Sequence, residues 1–194
     1  FLLPDDNHDT MSEERRLAFR TFMLELFECY RAETDQKVSV RFFNKLLYAL
    51  TMRPFFASEL QHYFARKDIV FTVSSAGDIA PDDILRVADP ELMKLGMNVS
   101  SSTLTNVLRN ERLNILSDVS FTLPTACHGC EWSSVCRGGD IYHRHRRGSG
   151  FDNPSVYCET LKALFERMAE TVVQAGMPMD ALEARLLAPL PRLG

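Results

Sequence analysis

The chain has 194 residues, of which 45% are hydrophobic and 25% are charged. This composition is typical of a globular protein with a buried core, and the length fits one large domain or one domain with added segments. The net charge of −4 argues against nucleic acid as a partner. No apolar run reaches the roughly 18 residues that span a bilayer, so we expect no membrane partner.

Two amphipathic helices are predicted in the first part of the chain. Residues 10–13 have the form of a capping box with Thr10 as the cap, and a second helix is predicted over 40–52, ending before Pro54. Apolar residues recur at helical spacing along both. They are Phe19, Phe22, Met23, Leu26, Phe27 and Tyr30 in the first helix, and Phe43, Leu46, Leu47 and Leu50 in the second.

A small β-hairpin and a long irregular loop follow. The β-branched and aromatic residues 69–73 predict a strand, residues 74–78 a turn, and Ile79 the start of the return strand. A short helix is predicted from Ser102. Residues 122–156 are rich in Gly, Cys, His, Arg and Pro and have no periodicity, which is unusual in a compact domain unless something organises the loop. Two further helices are predicted, over 161–172 and about 179–188.

The cysteines are the most informative residues of the chain. Four of the five fall within residues 127–158: Cys127, Cys130 and Cys136 at a C-x2-C-x5-C spacing, and Cys158 just before a predicted helix. Thiolates clustered in this way are most simply explained as ligands of one soft metal centre. Cys29 stands alone, and we expect it on a buried helix face because free cysteine behaves as a small hydrophobic residue.

Three kinds of site fit this cluster of thiols. Zinc usually takes two close Cys or His pairs, whereas the chain has one C-x2-C pair, although His128, His143 or His145 could substitute. A disulfide framework would favour an even number of cysteines spread along the chain. An iron–sulfur cluster accepts ligands from a loop in irregular steps plus one distant cysteine. The spacing therefore favours an iron–sulfur cluster and leaves zinc and disulfides as alternatives.

The same segment carries a resemblance. Cys127-x2-Cys130-x5-Cys136-x3-Asp140, followed by GFDNPSVYC at 150–158, resembles the C-terminal SPASM region of radical SAM enzymes that mature ribosomally made peptides. The GFDNPSVYC block, preceded by CRGGDIYHR, is similar to the group that forms three-residue cyclophanes by joining an aromatic ring to the β-carbon of a residue two positions on. The opening FLLPDDNHD at 1–9 resembles the end of the catalytic barrel in this group.

The resemblance implies one auxiliary [4Fe–4S] cluster ligated by Cys127, Cys130, Cys136 and Cys158. A full SPASM domain has a further cysteine at the position of Asp140 and another shortly after the hairpin glycine, here Gly77. This chain has Asp140 at the first position and only DIAPDD after Gly77. The resemblance therefore implies that the second auxiliary site is degenerate.

Radical SAM chemistry also needs a C-x3-C-x2-C triplet, which these 194 residues lack. The sequence starts with Phe1 and no leader follows, so we expect it to be part of a longer protein. The barrel, S-adenosylmethionine and a second [4Fe–4S] cluster are then expected in a missing N-terminal part. Whether this chain alone is an enzyme stays open, and no catalytic residue is assigned in it. The auxiliary cluster would accept an electron from the substrate radical, pin the long loop, or do both.

The expected fold is α+β and mostly helical, with a small β-hairpin and a long cysteine-rich, SPASM-like cluster-binding loop. The predicted divisions are 1–66 (the end of the barrel and linking helices), 67–158 (the iron–sulfur domain) and 159–194 (C-terminal helices). Asn153 is the predicted cap of the helix that carries Cys158, and Trp132 is expected to shield the cluster from water.

The expected partners are a precursor peptide and an electron donor or acceptor protein, in the cytoplasm. Asp5, His8, Asp9 and Arg144 are the predicted substrate-binding residues. Two rival interpretations remain: a non-catalytic zinc-stabilised interaction module and a freestanding iron–sulfur electron-transfer protein.

Overall fold

The computed structural model describes residues 4–35, 37–51 and 70–188. The described chain is mostly helical with one small antiparallel sheet, which confirms the α+β class. The helices are α1 (Glu13–Ala32), α2 (Arg41–Thr51), α3 (Leu85–Ala88), α4 (Leu104–Leu108), α5 (Glu111–Phe121), α6 (Ser133–Cys136), α7 (Cys158–Gln174) and α8 (Met179–Leu186). The strands are β1 (Phe71–Val73), β2 (Asp78–Pro81) and β3 (Met97–Asn98), and 3-10 turns lie at Pro90–Met93, Thr125–Cys127 and Ile141–Arg144.

The first helix begins two residues later than a Thr10 cap requires. Ser12 is the N-cap, and its hydroxyl accepts the Arg15 amide at 3.2 Å. Met23 and Phe27 are buried, whereas Phe22 is about half exposed, at 48%. Cys29 is exposed, so the prediction of a buried Cys29 was wrong. Residues two positions apart in a helix are about 200° apart around its axis. Cys29 therefore lies on nearly the opposite face of α1 from the buried Phe27.

The hairpin forms as predicted and gains a third strand. β2 pairs with β1 and β3, both antiparallel, with Val73 opposite Ile79 and Ile79 opposite Met97. Residue 69, the predicted start of β1, lies outside the described residues. Ile79 is buried in a small second core with Val107 and Leu113.

The main core lies between α1, α2, α7 and α8. α1 and α2 both pack against α7, and α8 packs against α2. The rings of Phe27 and Phe43 meet edge to face at 5.3 Å, and Phe43, Leu46 and Leu50 are buried as the α2 periodicity predicts. The predicted boundary at 66–67 lies outside the described residues, and the one at 158–159 stays a prediction. None of the described helices is long and apolar enough to cross a membrane.

The cysteine-rich loop is held by short helical turns and packs on this core through Trp132. Asn153 does not cap α7, contrary to prediction, because Tyr157 is the N-cap residue and α7 begins only at Cys158. The Asn153 amide instead donates to the carbonyls of Arg144 and Gly150, both at 3.0 Å. The expectation that Cys158 lies at a helix N-terminus is confirmed.

Candidate metal centre

Local turns bring the first three cysteines of the loop together. Cys127 ends a 3-10 turn, and its carbonyl accepts the Cys130 amide at 3.2 Å. Cys136 is the last residue of α6, and its amide donates to the Trp132 carbonyl at 2.7 Å. Cys158 comes from a separate element as the first residue of α7.

All four of these cysteines line one cavity. It holds about 330 Å³ of atom-free space, part of which is open to solvent. All five cysteines of the chain are free thiols, and Cys29 is not among the lining residues. The structure therefore brings together the four residues that the spacing grouped and leaves the fifth apart.

The cavity differs from a site for a single ion. Over residues 4–35, 37–51 and 70–188, no three His, Cys, Asp or Glu side chains converge closely enough to hold one metal ion. The histidines considered as zinc ligands, His128, His143 and His145, do not line the cavity. The Nε2 atom of His143 instead lies 3.0 Å from the Pro4 carbonyl. The four thiols thus share one cavity, but within the described residues no three of them lie within reach of one ion.

Two glycines allow the loop to close around Cys136. Gly138 and Gly139 have φ values of +82° and +79°, in the left-handed region that favours glycine. A Cβ on Gly138 would lie 2.7 Å from Pro124 Cδ, and one on Gly139 would lie 2.6 Å from Ser155 Cβ. The Gly138 amide also donates a hydrogen bond to the Cys136 sulfur. The Gly138–Gly139 pair therefore lets the backbone approach a candidate ligand.

Burial favours the protonated form of three of these thiols in the absence of a metal. It raises the pKa of Cys136 to about 12, and it is also the largest cause of the raised pKa values of Cys127 and Cys158. Charge repulsion among the four sulfurs adds to this effect, since Cys136 senses the other three. A bound metal must therefore displace protons and bring enough positive charge to offset the desolvation of the thiolates.

Two cations are close enough to act electrostatically on the Cys127 sulfur. Arg144 is only 2% exposed, and its guanidinium donates to the carbonyls of Phe151 at 3.0 Å and Val119 at 3.2 Å. Lys162 lines the cavity one turn after Cys158 and also pairs with Glu159 at 3.3 Å. Both positive charges act to lower the pKa of Cys127, against the larger effect of its burial.

An apolar wall closes part of the cavity. Trp132 and Phe165 both line it, and their rings stack with centroids 5.5 Å apart at an angle of 12°. Both residues belong to the main core. The wall therefore anchors the cavity to the helices and keeps water from part of its surface.

The N-terminal segment is tied to the far end of the loop. The His8 Nε2–H group donates to the Pro154 carbonyl at 2.8 Å, and His8 Nδ1 accepts from Arg146 at 3.1 Å. Because burial lowers its pKa, His8 is neutral at pH 7. Asp9 accepts the Arg147 amide at 2.8 Å, and Asp5 is exposed.

These contacts do not test the predicted substrate-binding residues, and their role stays a prediction. His8 and Asp9 link the two segments, and the Arg144 side chain is committed to carbonyls within the protein. None of the four lines the cavity.

Sequence reasoning missed Lys162 and Asp152 at this site. Lys162 is four residues after Cys158 on the helix that carries both, so helical spacing could have indicated it. The Asp152 carboxylate accepts both the amide and the hydroxyl of Thr125, at 2.7 and 2.9 Å, and these bonds lower its pKa. Asp152 thereby closes the loop next to Cys127, a contact between distant residues that no local pattern indicates.

Comparisons with known proteins add no family assignment. No protein-family model matches the chain, and no curated protein or solved structure is significantly similar to it.

Proposed function

We propose that this chain binds one [4Fe–4S] cluster through Cys127, Cys130, Cys136 and Cys158. We further propose that it is the accessory part of a radical SAM enzyme that cross-links a ribosomally made precursor peptide, with cyclophane formation as the favoured reaction. The observation that carries the first proposal is the single cavity lined by all four cysteines.

The arrangement of the thiols fits a group larger than one ion. With a Zn–S distance of about 2.3 Å, tetrahedral zinc would hold its four sulfurs roughly 3.8 Å apart. In a cubane cluster each thiolate binds a different iron, so the sulfurs stand farther apart around a common volume. Four donors that line one cavity, no three of which converge on one point in the described part of the chain, fit the second geometry better than the first.

The surroundings of the cavity suit an anionic group. Arg144 and Lys162 bring positive charge, the Gly138 amide donates to the Cys136 sulfur, and Cys158 lies at the positive end of the α7 dipole. Each feature stabilises negative charge on thiolates and sulfides. The free thiols fit a reducing compartment such as the cytoplasm.

The cluster, when bound, supplies a one-electron carrier at a fixed position. The residues of this chain hold it with four thiolates, exclude water on one side with Trp132 and Phe165, and balance its charge with Arg144 and Lys162. The assignment to a peptide-modifying enzyme is supported by the resemblance of the CRGGDIYHR and GFDNPSVYC segments, and the precursor peptide and an electron-exchanging protein are its proposed partners.

Metal analysis of the chain after anaerobic reconstitution tests the cluster. We expect about four iron and four sulfide per chain, and the same content in Cys29→Ser, whose cysteine lies away from the cavity. Stoichiometric zinc without iron would contradict the proposal and favour a zinc-stabilised interaction module.

The coding sequence upstream of Phe1 tests the enzyme assignment separately. We expect it to encode a C-x3-C-x2-C triplet within a barrel-forming segment. A gene that starts near Phe1 and still yields an iron-loaded protein would favour a freestanding electron-transfer protein.

A further inference from the structure

Trp132 is a cavity-lining residue that lies within the run of candidate cysteine ligands. It lies between Cys130 and Cys136 in sequence, lines the cavity and is 7% exposed. Its ring is fixed by stacking on Phe165 and by burial in the main core. The indole therefore has little freedom to turn away from its present orientation.

The indole N–H group has no partner. Its Nε1 atom is buried, and no acceptor in the described part of the chain is within hydrogen-bonding distance. The indole nitrogen is a donor only, and a buried donor without a partner is destabilising. Most buried polar groups in proteins are paired, so an exception calls for an acceptor that is present when the protein functions.

The cavity offers few acceptors of its own. Lys162 has only donors, and neither the Ser133 nor the Ser155 hydroxyl, the other polar side chains of the lining besides the thiols, bonds to the indole. The protonated thiols of the metal-free site are weak acceptors. Thiolate and sulfide carry negative charge and accept strong, charge-assisted hydrogen bonds. The acceptors that remain are the sulfur atoms of a bound cluster.

We infer that the Trp132 indole donates a hydrogen bond to a sulfur atom of the cluster and raises its reduction potential. This inference rests on the proposed [4Fe–4S] site. Reduction adds one negative charge, so a fixed N–H dipole stabilises the reduced form more than the oxidised form. The Gly138 amide acts in the same way on the Cys136 sulfur. Trp132 is thus a tuning residue that makes the site a better electron acceptor.

The Trp132→Phe variant removes the donor and keeps an aromatic ring. We expect a lower midpoint potential than in the wild-type protein, with unchanged iron and sulfide content, in a redox titration followed by electron paramagnetic resonance. The sign is diagnostic because greater water access would raise the potential by solvating the more charged reduced form. A potential that stays the same or rises would overturn the inference while leaving the cluster proposal intact.

A second measurement covers the case in which Trp132→Phe does not load iron. The chain has one tryptophan, so ¹⁵N-indole labelling marks this nitrogen alone. In the reduced wild-type protein we expect a ¹⁵N hyperfine coupling and one exchangeable-proton coupling that disappears in D₂O, detected by electron–nuclear double resonance. Absence of the ¹⁵N coupling would overturn the hydrogen bond, whereas failure of the wild-type protein to take up iron would overturn the proposed function.

Discussion

The proposed resemblance to the SPASM pattern predicts auxiliary cluster positions at two places in this chain, and the side chains at these two places are arranged differently. At the first, four thiols surround a cavity beside the main core. At the second, Asp140 pairs with Lys45 at 3.4 Å, and Asp78, next to Gly77 in the hairpin, accepts from Asn98 at 3.0 Å. The second set of groups is paired within the protein, whereas the four cysteines of the first line a cavity.

The two places also differ in what orders their backbone. The hairpin is held by strand pairing, which needs nothing from outside the protein. The cysteine loop depends on short turns, on positive-φ glycines and on side chains that reach across it. We therefore expect the loop to depend on its ligand and the hairpin to be independent of it.

Cys136→Ala is expected to have the largest effect. It removes a proposed ligand beside Trp132 and Gly138, and because metal binding and folding share one free energy, we expect loss of the proposed cluster and of hydrogen-exchange protection across roughly residues 122–157. The hairpin at 70–98 should keep its protection. Iron analysis and hydrogen exchange measure both effects, with Cys29→Ala as the control that retains iron. Full iron content in Cys136→Ala would contradict the ligand assignment.

Gly139→Ala is expected to strain the same loop without removing a ligand. Its φ is +79° and the new Cβ would lie 2.6 Å from Ser155 Cβ, whereas Gly148 has a φ of +92° and open space around it. Gly148→Ala should lower the free energy of unfolding by about 1–2 kcal/mol from backbone strain alone. Gly139→Ala should cost a further 1–3 kcal/mol or so through the steric clash. Urea unfolding at equal cluster occupancy compares them, and equal losses would show that Ser155 moves aside freely.

Arg144→Met tests whether the buried guanidinium supports the loop or serves the substrate. The variant keeps the length of the side chain but leaves the carbonyls of Val119 and Phe151 without their donors. We expect a loss of about 2–4 kcal/mol in the free energy of unfolding. The exposed Arg147 provides the control, with Arg147→Met expected to change it by less than about 0.5 kcal/mol. Unchanged stability with weaker binding of the precursor peptide would instead support the substrate-binding prediction.

Periodicity predicted α1 and α2, because local apolar patterns decide which face of a helix is buried. The β-branched and aromatic residues and the turn segment predicted the hairpin. The four cysteines that the spacing grouped line one cavity, and their role as ligands stays a prediction. Helix starts were less predictable, since Thr10 and Ser12 are both good caps and only the fold selects Ser12. The partners of Arg144 lie 7 and 25 residues away in sequence, so its contacts depend on tertiary packing that no local pattern encodes.

Asp140→Ala should have the smallest effect and bears most directly on the comparison of the two places. Its ion pair with Lys45 joins side chains that are 39% and 69% exposed, and such surface pairs contribute about 0–1 kcal/mol. We expect a change in the free energy of unfolding below about 1 kcal/mol, a similar change in Lys45→Ala, and iron content equal to that of the wild-type protein in both. Because Asp140 follows Cys136 by only four residues, a loss of iron in Asp140→Ala but not in Lys45→Ala would make its carboxylate a ligand. The second place would then be part of the first site rather than a degenerate site of its own.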